Sequence, residues 1–165
     1  MVTVNLADAK AILAAAAEIT PEKFPNCDEV TVDQKSVRNY RADGTGESQD
    51  ESFTRVLTEK GRRDNRTLSF SFMLPYSTVS VAKLEVIKPD GQAVPVDVAA
   101  NSKESIDDGQ MAANIYDPND RVLRVNIPQL ETGDVVHLVV RQTTVRPLIP
   151  GEFADENVFE GSGDI

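Results

Sequence analysis

Cys27 and His137 are the residues of this chain that could form a thiol–imidazole pair, because the sequence contains one cysteine and one histidine. A cysteine-dependent hydrolase needs a thiolate activated by an imidazole, with the two groups within hydrogen-bonding reach. Cys27 is followed by Asp28 and Glu29, whose negative charges disfavour a thiolate. His137 falls in the middle of a predicted strand, on the face opposite its apolar neighbours, where we expect a half-exposed structural side chain. The pattern therefore assigns no catalytic residue.

Asp107, Asp108, Asp117 and Asp120 are the acidic residues whose spacing comes nearest to that of a hard-cation site, since Ca²⁺ is bound by closely spaced carboxylate and amide oxygens. The regular alternation of ligands and the bidentate glutamate of a calcium-binding loop are both missing. We therefore interpret Asp117-Pro-Asn-Asp120 as a solvated turn, and we predict neither a metal site nor a cofactor.

Arg62, Arg63 and Arg66 form the one basic cluster, and their position next to an aspartate is typical of a soluble loop tip. The whole chain carries 27 acidic and 17 basic residues, a formal net charge of -10, which repels nucleic-acid phosphates. Gly44-Thr-Gly46 lacks the third glycine and the helix of a phosphate-binding loop, and Asn65-Arg-Thr67 is a glycosylation triplet of a kind common by chance. Nucleic acid is therefore not an expected partner.

The composition is that of one globular domain. With 165 residues the chain can bury a core without a disulfide or a metal. Aromatic residues make up 5% and tryptophan is absent, which provides few platforms for stacking sugars or bases. No apolar run approaches the roughly 20 residues that span a bilayer, so membrane insertion is not expected. The first residues lack the basic and apolar regions of a signal peptide, and the compartment stays unknown.

The N-terminal residues predict one short helix. Asn5 is a suitable N-cap, and Pro21 disfavours helical backbone beyond Ile19. The apolar stripe consists of Leu6, Ala9, Leu13 and Ala16. Because this stripe is narrow and rich in alanine, we interpret the helix as an appendage on the edge of the domain.

Strand patterns follow. Residues 29–40 and 47–57 are predicted to pair around a turn that contains Asp43 and Gly44. The core candidates in this ribbon are Phe53, Val56 and Leu57. Leu68, Phe70, Phe72 and Leu74 alternate strictly with other side chains, which indicates a strand with one buried and one solvated face.

Pro89-Asp90-Gly91 is the clearest turn, since proline presets the first corner, aspartate bonds its own backbone and glycine accepts positive φ. It predicts a hairpin within residues 81–98, in which Pro95 confines its strand to an edge or a bulge. A second turn, with Gly133 and Asp134, is predicted to pair residues 122–128 with residues 135–145 in the same way. Residues 101–109 are polar and predict a loop.

About eight short strands at regular spacing indicate an all-β fold, either an antiparallel β-sandwich or a pair of open, barrel-like sheets, with one short N-terminal α-helix. The expected organisation is a helical appendage at residues 1–20 and a β-sandwich domain at residues 21–165.

The order of these signals resembles a bacterial domain of unknown function that lies N-terminal to transglutaminase-like (papain-type) domains. The matching segments are Phe24-Pro-Asn-Cys-Asp-Glu-Val30, Tyr40-Arg-Ala-Asp-Gly44, Arg55-Val-Leu-Thr-Glu-Lys-Gly61, Leu74-Pro-Tyr76, Ile87-Lys-Pro-Asp-Gly91 and Val125-Asn-Ile-Pro-Gln-Leu-Glu-Thr-Gly-Asp134. The resemblance covers roughly residues 21–160.

This resemblance implies a non-catalytic accessory module whose partner is a downstream transglutaminase-like or cysteine-peptidase-like domain, and it favours an exported protein. It also implies that further strands follow the acidic segment of residues 152–160, so we expect the sandwich to be truncated at residue 165. An incomplete sheet exposes an edge, which we expect to be covered either by a second copy, in a homo-oligomer, or by the strands that follow in the complete domain. The expected working surfaces are the edge near Pro95 and the acidic tail.

One alternative is a stand-alone adhesion or glycan-binding sandwich, which requires Tyr40, Tyr76 and Tyr116 to cluster on one face. The other is a small hydrolase that uses Cys27, which requires its sulfur to lie within hydrogen-bonding reach of the His137 ring.

Overall fold

The computed structural model describes residues 9–113 and 116–152 and confirms the all-β class, with two antiparallel sheets. The five-stranded sheet contains, in spatial order, β1 (Glu29–Tyr40), β2 (Gly46–Val56), β8 (Val135–Thr144), β4 (Ser77–Ile87) and β5 (Ala93–Pro95). The three-stranded sheet contains β3 (Thr67–Met73), β7 (Asp120–Asn126) and β6 (Ser102–Ile106). The helices are α1 (Ala9–Ala17), α2 (Glu59–Asp64), α3 (Val98–Asn101) and a 3₁₀-helix (Asp108–Ala113).

The main core lies between the two sheets. Its buried residues are Val56, Leu84, Val86, Val125, Ile127, Leu130 and Val136. Leu68 and Phe70 of β3 pack against them, while Ser69 and Ser71 are exposed, so the alternation in this strand separates the core face from the solvated face. The buried positions Phe53, Val56 and Leu57 were all expected from the sequence.

Helix α1 covers part of the outer face of the five-stranded sheet. Ile12 and Ala16 are buried in a second cluster with Phe53, Ile87 and Val135. Ala16 belongs to the predicted stripe, whereas Ile12 does not, and the predicted start of the helix lies outside the described residues. A guanidinium nitrogen of Arg55 also donates to the Ala16 carbonyl, which fixes the end of the helix to β2.

The prediction of a second hairpin was wrong, because β7 and β8 lie in different sheets. Pro128 has no N–H group and follows the buried Ile127, so the ladder of β7 cannot continue through this point. The turn at Gly133 bonds instead to the end of β2: the Gly133 amide donates to the Val56 carbonyl at 2.8 Å, and the Val56 amide donates to the Asp134 carbonyl at 3.0 Å. The turn therefore carries the chain from one sheet to the other.

Two other segments differ from the sequence interpretation. Within the predicted loop of residues 101–109, residues 102–106 form β6, which pairs with β7 as an edge strand and therefore keeps polar side chains such as Lys103 and Glu104 exposed. Arg62 and Arg63 of the expected loop tip belong instead to α2, whose N-cap Thr58 accepts a hydrogen bond from the Gly61 amide at 3.1 Å. Both elements are shorter than a periodic pattern can identify.

Candidate functional site

His137 lies between two carboxylates on the outer face of the five-stranded sheet. Its Nε2 is 2.8 Å from Glu51 Oε1, and its Nδ1 is 2.7 Å from Glu85 Oε1. The register explains the arrangement, because Phe53 of β2 and Glu85 of β4 stand directly opposite His137 on the two neighbouring strands. The rings of Phe53 and His137 stack with centroids 4.0 Å apart and an interplanar angle of 17°.

The expectation of a half-exposed His137 was wrong, since the residue is 3% exposed. The sequence placed it on the correct face of its strand, but β8 is the central strand of its sheet and both of its faces are covered in this region. The available sequence signal for a buried polar cluster was Glu51, a charged residue two positions before Phe53. It becomes interpretable only when the register of β2 and β8 is known.

Lys83 completes this buried cluster by an ion pair of 2.9 Å with Glu85. Desolvation alone would raise the pKa of Glu85, but hydrogen bonds from Lys83 and His137, together with their charges, outweigh it and leave the pKa of Glu85 below its ordinary value. Each ring nitrogen of His137 thus contacts one carboxyl group, so both hydrogen-bonding positions of the imidazole are occupied inside the protein.

This geometry does not support the thiol–imidazole pair. Both ring nitrogens of His137 are engaged by carboxylates, so neither is available to a thiol in this arrangement. Cys27 lies in the loop before β1 and is partly exposed. The carboxylates of Glu51 and Glu85 contact opposite sides of the ring and do not converge. Over residues 9–113 and 116–152, no group of three or more His, Cys, Asp or Glu side chains is arranged to hold a metal ion.

The aspartates that came nearest to a cation site in the sequence make hydrogen bonds and ion pairs within the protein. Asp107 accepts from the Ser71 hydroxyl at 3.1 Å and from the Gly109 amide at 3.0 Å. Asp108 forms an ion pair of 2.7 Å with Arg124. Asp117 accepts from the backbone amide of Asn119 at 2.8 Å within the turn that leads to Asp120, the first residue of β7.

Two residues of the basic cluster, Arg62 and Arg66, make separate structural contacts. Arg62 pairs with Glu59 at 2.9 Å, and the Arg66 carbonyl accepts from the Ile127 amide at 2.9 Å. The side-chain amide of Asn65, the residue of the glycosylation triplet, donates to the Gly61 carbonyl at 3.0 Å. Arg63 is exposed. No helix in the described part of the chain is both long and apolar enough to cross a bilayer.

The predicted turn residues lie at two ends of the sandwich. Gly91 has φ +87° after Pro89, and Asp90 accepts a hydrogen bond from the Gln92 amide at 2.9 Å. The buried Asp134, after Gly133, accepts from the Lys88 ammonium group at 2.6 Å and thereby links the two turns of this end. Asp43 and Gly44 form the β1–β2 turn at the other end, where the Asp43 carboxylate accepts from the Thr45 amide at 2.9 Å.

Gly44 helps to form a cavity at that end. It has φ +84°, and a β-carbon there would lie 2.7 Å from the Glu152 carbonyl oxygen, so glycine allows the segment after β8 to cross the turn. The resulting cavity has a volume of about 590 Å³, which is within the range of small-ligand pockets. Besides backbone from three turns, its lining includes Arg38, Tyr40, Met73, Tyr76, Arg146, Leu148 and Ile149.

Arg146 is positioned in this cavity by Tyr76. The backbone amide of Arg146 donates to the Tyr76 carbonyl at 3.1 Å, and its guanidinium carbon lies 5.9 Å from the centre of the Tyr76 ring. Arg38 pairs with Asp50 at 2.7 Å, and Glu47 pairs with Arg41 at 3.6 Å.

Large apolar side chains at this end remain in contact with solvent. Leu148 is 72% exposed and Ile149 is 59% exposed, and both line the cavity together with the exposed Met73. Val145 is exposed in the same segment. We call Met73, Val145, Leu148 and Ile149 the apolar rim. This surface, which the sequence did not predict, lies at the end of the sandwich opposite to the Pro89 hairpin. Of the acidic tail, Glu152 lines the cavity, and the residues after it lie outside the described range.

Comparison with known proteins identifies a family for most of the chain. Residues 42–164 match the model of a family described as a domain of unknown function with a solved structure, DUF3857. No curated protein sequence matches the chain.

Among solved structures, the crystal structure of a "putative protease" from Parabacteroides distasonis superposes with a TM-score of 0.63 at 16% identity, over 73% of this chain and 24% of that chain. The likeness concerns the fold, and this chain spans about a quarter of that protein. Two structures of the family 3a carbohydrate-binding module from the scaffoldin cipA of Clostridium thermocellum superpose more distantly. The first has a TM-score of 0.35 at 10% identity, over 72% of this chain and 68% of that chain. The second has a TM-score of 0.29 at 13% identity, over 68% and 76%.

Proposed function

Because the chain belongs to the DUF3857 family of domains of unknown function, we propose that it is a non-catalytic β-sandwich module that docks or positions a downstream transglutaminase-like, cysteine-peptidase-like domain of a larger bacterial protein. The observation that carries this proposal is the apolar rim beside the cavity. Fully burying one leucine or isoleucine side chain stabilises a contact by about 1.5–3 kcal/mol, so covering this rim would favour a docked arrangement.

The position of the rim supports a partner within the same polypeptide. Val145, Leu148 and Ile149 directly follow β8, so a domain that follows them in sequence is held beside this surface. A short flexible linker gives such a domain an effective concentration on the order of millimolar, at which even a modest contact is occupied. The Parabacteroides distasonis protein, in which the matching region makes up 24% of the chain, is an example of this fold within a larger protein.

We propose a non-catalytic module because the described residues do not form a catalytic arrangement. The one imidazole is enclosed by Glu51 and Glu85, and Asp107 and Asp108 are used in a loop and an ion pair. A nucleophile and a base that converge on a cavity are the minimum arrangement for covalent catalysis. The described lining of the cavity at the β1–β2 turn contains no cysteine or histidine, and its carboxylates are Glu152 and Glu47, which pairs with Arg41.

The test uses the full-length polypeptide. Leu148→Ser combined with Ile149→Ser is expected to make the sandwich and the following domain tumble independently, as measured by ¹⁵N relaxation and small-angle X-ray scattering. Tyr116→Ser is the matched control, since Tyr116 is 61% exposed but does not line the cavity. Equal tumbling of the wild type and the double variant would contradict docking through the rim, and a full-length chain without such a domain would refute the proposal.

A glycan-binding module is the second candidate, and one observation favours it. Tyr40 and Tyr76 line the same cavity, as a sugar site requires, although Tyr116 does not. The chain has no tryptophan, so tyrosine emission can be followed directly during titration with neutral oligosaccharides. Glycan binding at this cavity predicts a saturable change that Tyr76→Ala removes and Tyr116→Ala retains.

A further inference from the structure

We propose that the cavity beside the β1–β2 turn receives a peptide segment of the partner domain in which an acidic side chain stands next to a large apolar side chain. This inference rests on the proposed docking function and specifies the chemistry of the partner. It combines two features of one lining, the guanidinium group of Arg146 and the apolar rim.

Arg146 supplies the site for a carboxylate. Its guanidinium group lies over the Tyr76 ring, and among the described residues no carboxylate forms an ion pair with it. The guanidinium carbon lies 5.9 Å from the ring centre, a distance that leaves the N–H donors available for a bidentate carboxylate. The hydrogen bond between the Arg146 amide and the Tyr76 carbonyl fixes the backbone from which this side chain extends, which reduces the entropy that binding would cost.

The apolar rim supplies the site for the neighbouring side chain. Met73, Leu148 and Ile149 line the same cavity as Arg146 and are exposed, so an apolar side chain next to the bound carboxylate would cover them. An interface with a buried apolar anchor beside a paired charge is typical of peptide recognition.

These contacts favour a peptide over a sugar acid. A sugar ring stacked on this face of Tyr76 would compete for space with the guanidinium group of Arg146, whose central carbon lies 5.9 Å from the ring centre. The exposed lining residues with the largest apolar area are aliphatic, and aliphatic side chains offer a sugar no hydrogen bonds. A uronic acid shares the carboxylate with an acidic peptide but makes no use of the rim.

Glu152 and Glu47 also line the cavity and oppose an acidic ligand, although Glu47 pairs with Arg41 at 3.6 Å. Replacing Arg146 and replacing Glu152 should therefore have opposite effects on the affinity for an acidic peptide. Arg146→Gln should weaken binding of an acidic peptide at least about tenfold, the value of a lost charge-assisted hydrogen bond. Glu152→Gln should strengthen binding of the same peptide.

The experiment pans a phage-displayed library of random octapeptides against the 165-residue chain and measures the affinities of the selected peptides for the variants. We expect enrichment of Asp or Glu adjacent to Leu, Ile, Met or Phe, loss of that enrichment with Arg146→Gln, and its retention with Arg63→Gln, an exposed arginine outside the cavity. Absence of enrichment, or enrichment of peptides without acidic residues, would overturn the inference.

Two further outcomes separate this inference from the docking proposal. Binding of oligogalacturonate, but of no acidic peptide, with chemical-shift changes at Arg146 would reassign the cavity to an acidic glycan. Leu148→Ser and Ile149→Ser could also release the following domain while the selected peptides lack acidic residues. That result would support docking through the apolar rim and refute the proposal of an acidic ligand.

Discussion

Nε2 of His137 lies 2.8 Å from Oε1 of Glu51, and the two residues are 3% and 2% exposed, although 86 positions separate them in the chain. The pairing of β2 with β8 brings them together. Phe53 stacks on the His137 ring and also belongs to the buried cluster that includes Ile12 and Ala16 of α1. Within the described residues the second oxygen of Glu51, Oε2, has no hydrogen-bond partner. The pair is therefore a buried structural contact in which each residue is the hydrogen-bond partner of the other.

Replacing His137 by phenylalanine should destabilise the protein strongly. The substitution retains an aromatic ring beside Phe53 but leaves Glu51 without its donor and Glu85 with Lys83 alone. Loss of one partner from a buried ion pair costs about 3–5 kcal/mol. Urea unfolding of H137F should show a loss of this size. The control is Glu59→Gln, which removes an exposed ion pair to Arg62 and should change the free energy of unfolding by less than about 1 kcal/mol. A loss of less than about 1 kcal/mol for H137F, as in the exposed control, would show that the buried pair contributes no net stability.

The pH dependence of stability should contain a contribution from Glu85. Its pKa is lower in the folded protein than in the unfolded chain, so folding favours the carboxylate. The resulting stability is complete above the unfolded pKa of about 4.3 and is lost as the pH falls through the lower folded value. The difference in unfolding free energy between the wild type and Glu85→Gln should therefore be constant from pH 7 to 5 and shrink below about pH 4.

Unfolding titrations at pH 7, 5, 4 and 3 would measure this difference. Glu104→Gln on β6 serves as the control for the removal of an exposed carboxylate. A difference between the wild type and E85Q that grows on acidification would reverse the sign and contradict the assignment.

Local patterns predicted much of the fold but little of the candidate site. The alternation around Leu68 and Phe70 depends on neighbours two residues apart, and it is visible in the sequence. The environment of His137 depends instead on the register among β2, β8 and β4. The cavity requires the β1–β2 turn, the β3–β4 turn and the segment after β8 to meet at one end. No periodicity in the sequence reports such a meeting of distant segments.

Some local signals were present but too short to interpret. Thr58 caps α2, whose six residues make less than two helical turns. A Thr-Glu-Lys-Gly sequence is also compatible with a strand end, so the cap becomes evident only when the Gly61 amide is seen to donate to the threonine oxygen. Likewise, β6 is identified by its pairing with β7, since its own side chains are mostly polar.

Gly61→Ala should be destabilising because of contact with backbone. A β-carbon at this position would overlap the Asp28 carbonyl oxygen, which already accepts from the Leu57 amide at 2.9 Å and the Thr58 amide at 3.2 Å. The carbonyl cannot move without weakening these bonds, so we expect a loss of about 1–3 kcal/mol in thermal or urea unfolding. Gly109→Ala is the control, because its nearest contact would be the movable Asp107 carboxylate at 3.2 Å. Equal stability of the two variants would show that α2 shifts freely against Asp28.

Ile12→Ala tests whether α1 is part of the folded unit. Ile12 packs with Phe53, Ile87 and Val135 on the outer face of the five-stranded sheet, next to the strands that hold His137. Truncation of a buried isoleucine to alanine costs about 2–5 kcal/mol, so urea unfolding of I12A should show one cooperative transition at clearly lower denaturant. Ala14→Ser, on the exposed side of the same helix, should lower stability by less than about 1 kcal/mol. If I12A instead unfolds at the wild-type midpoint, α1 contributes no stability to the sandwich and is an appendage, as expected from the sequence.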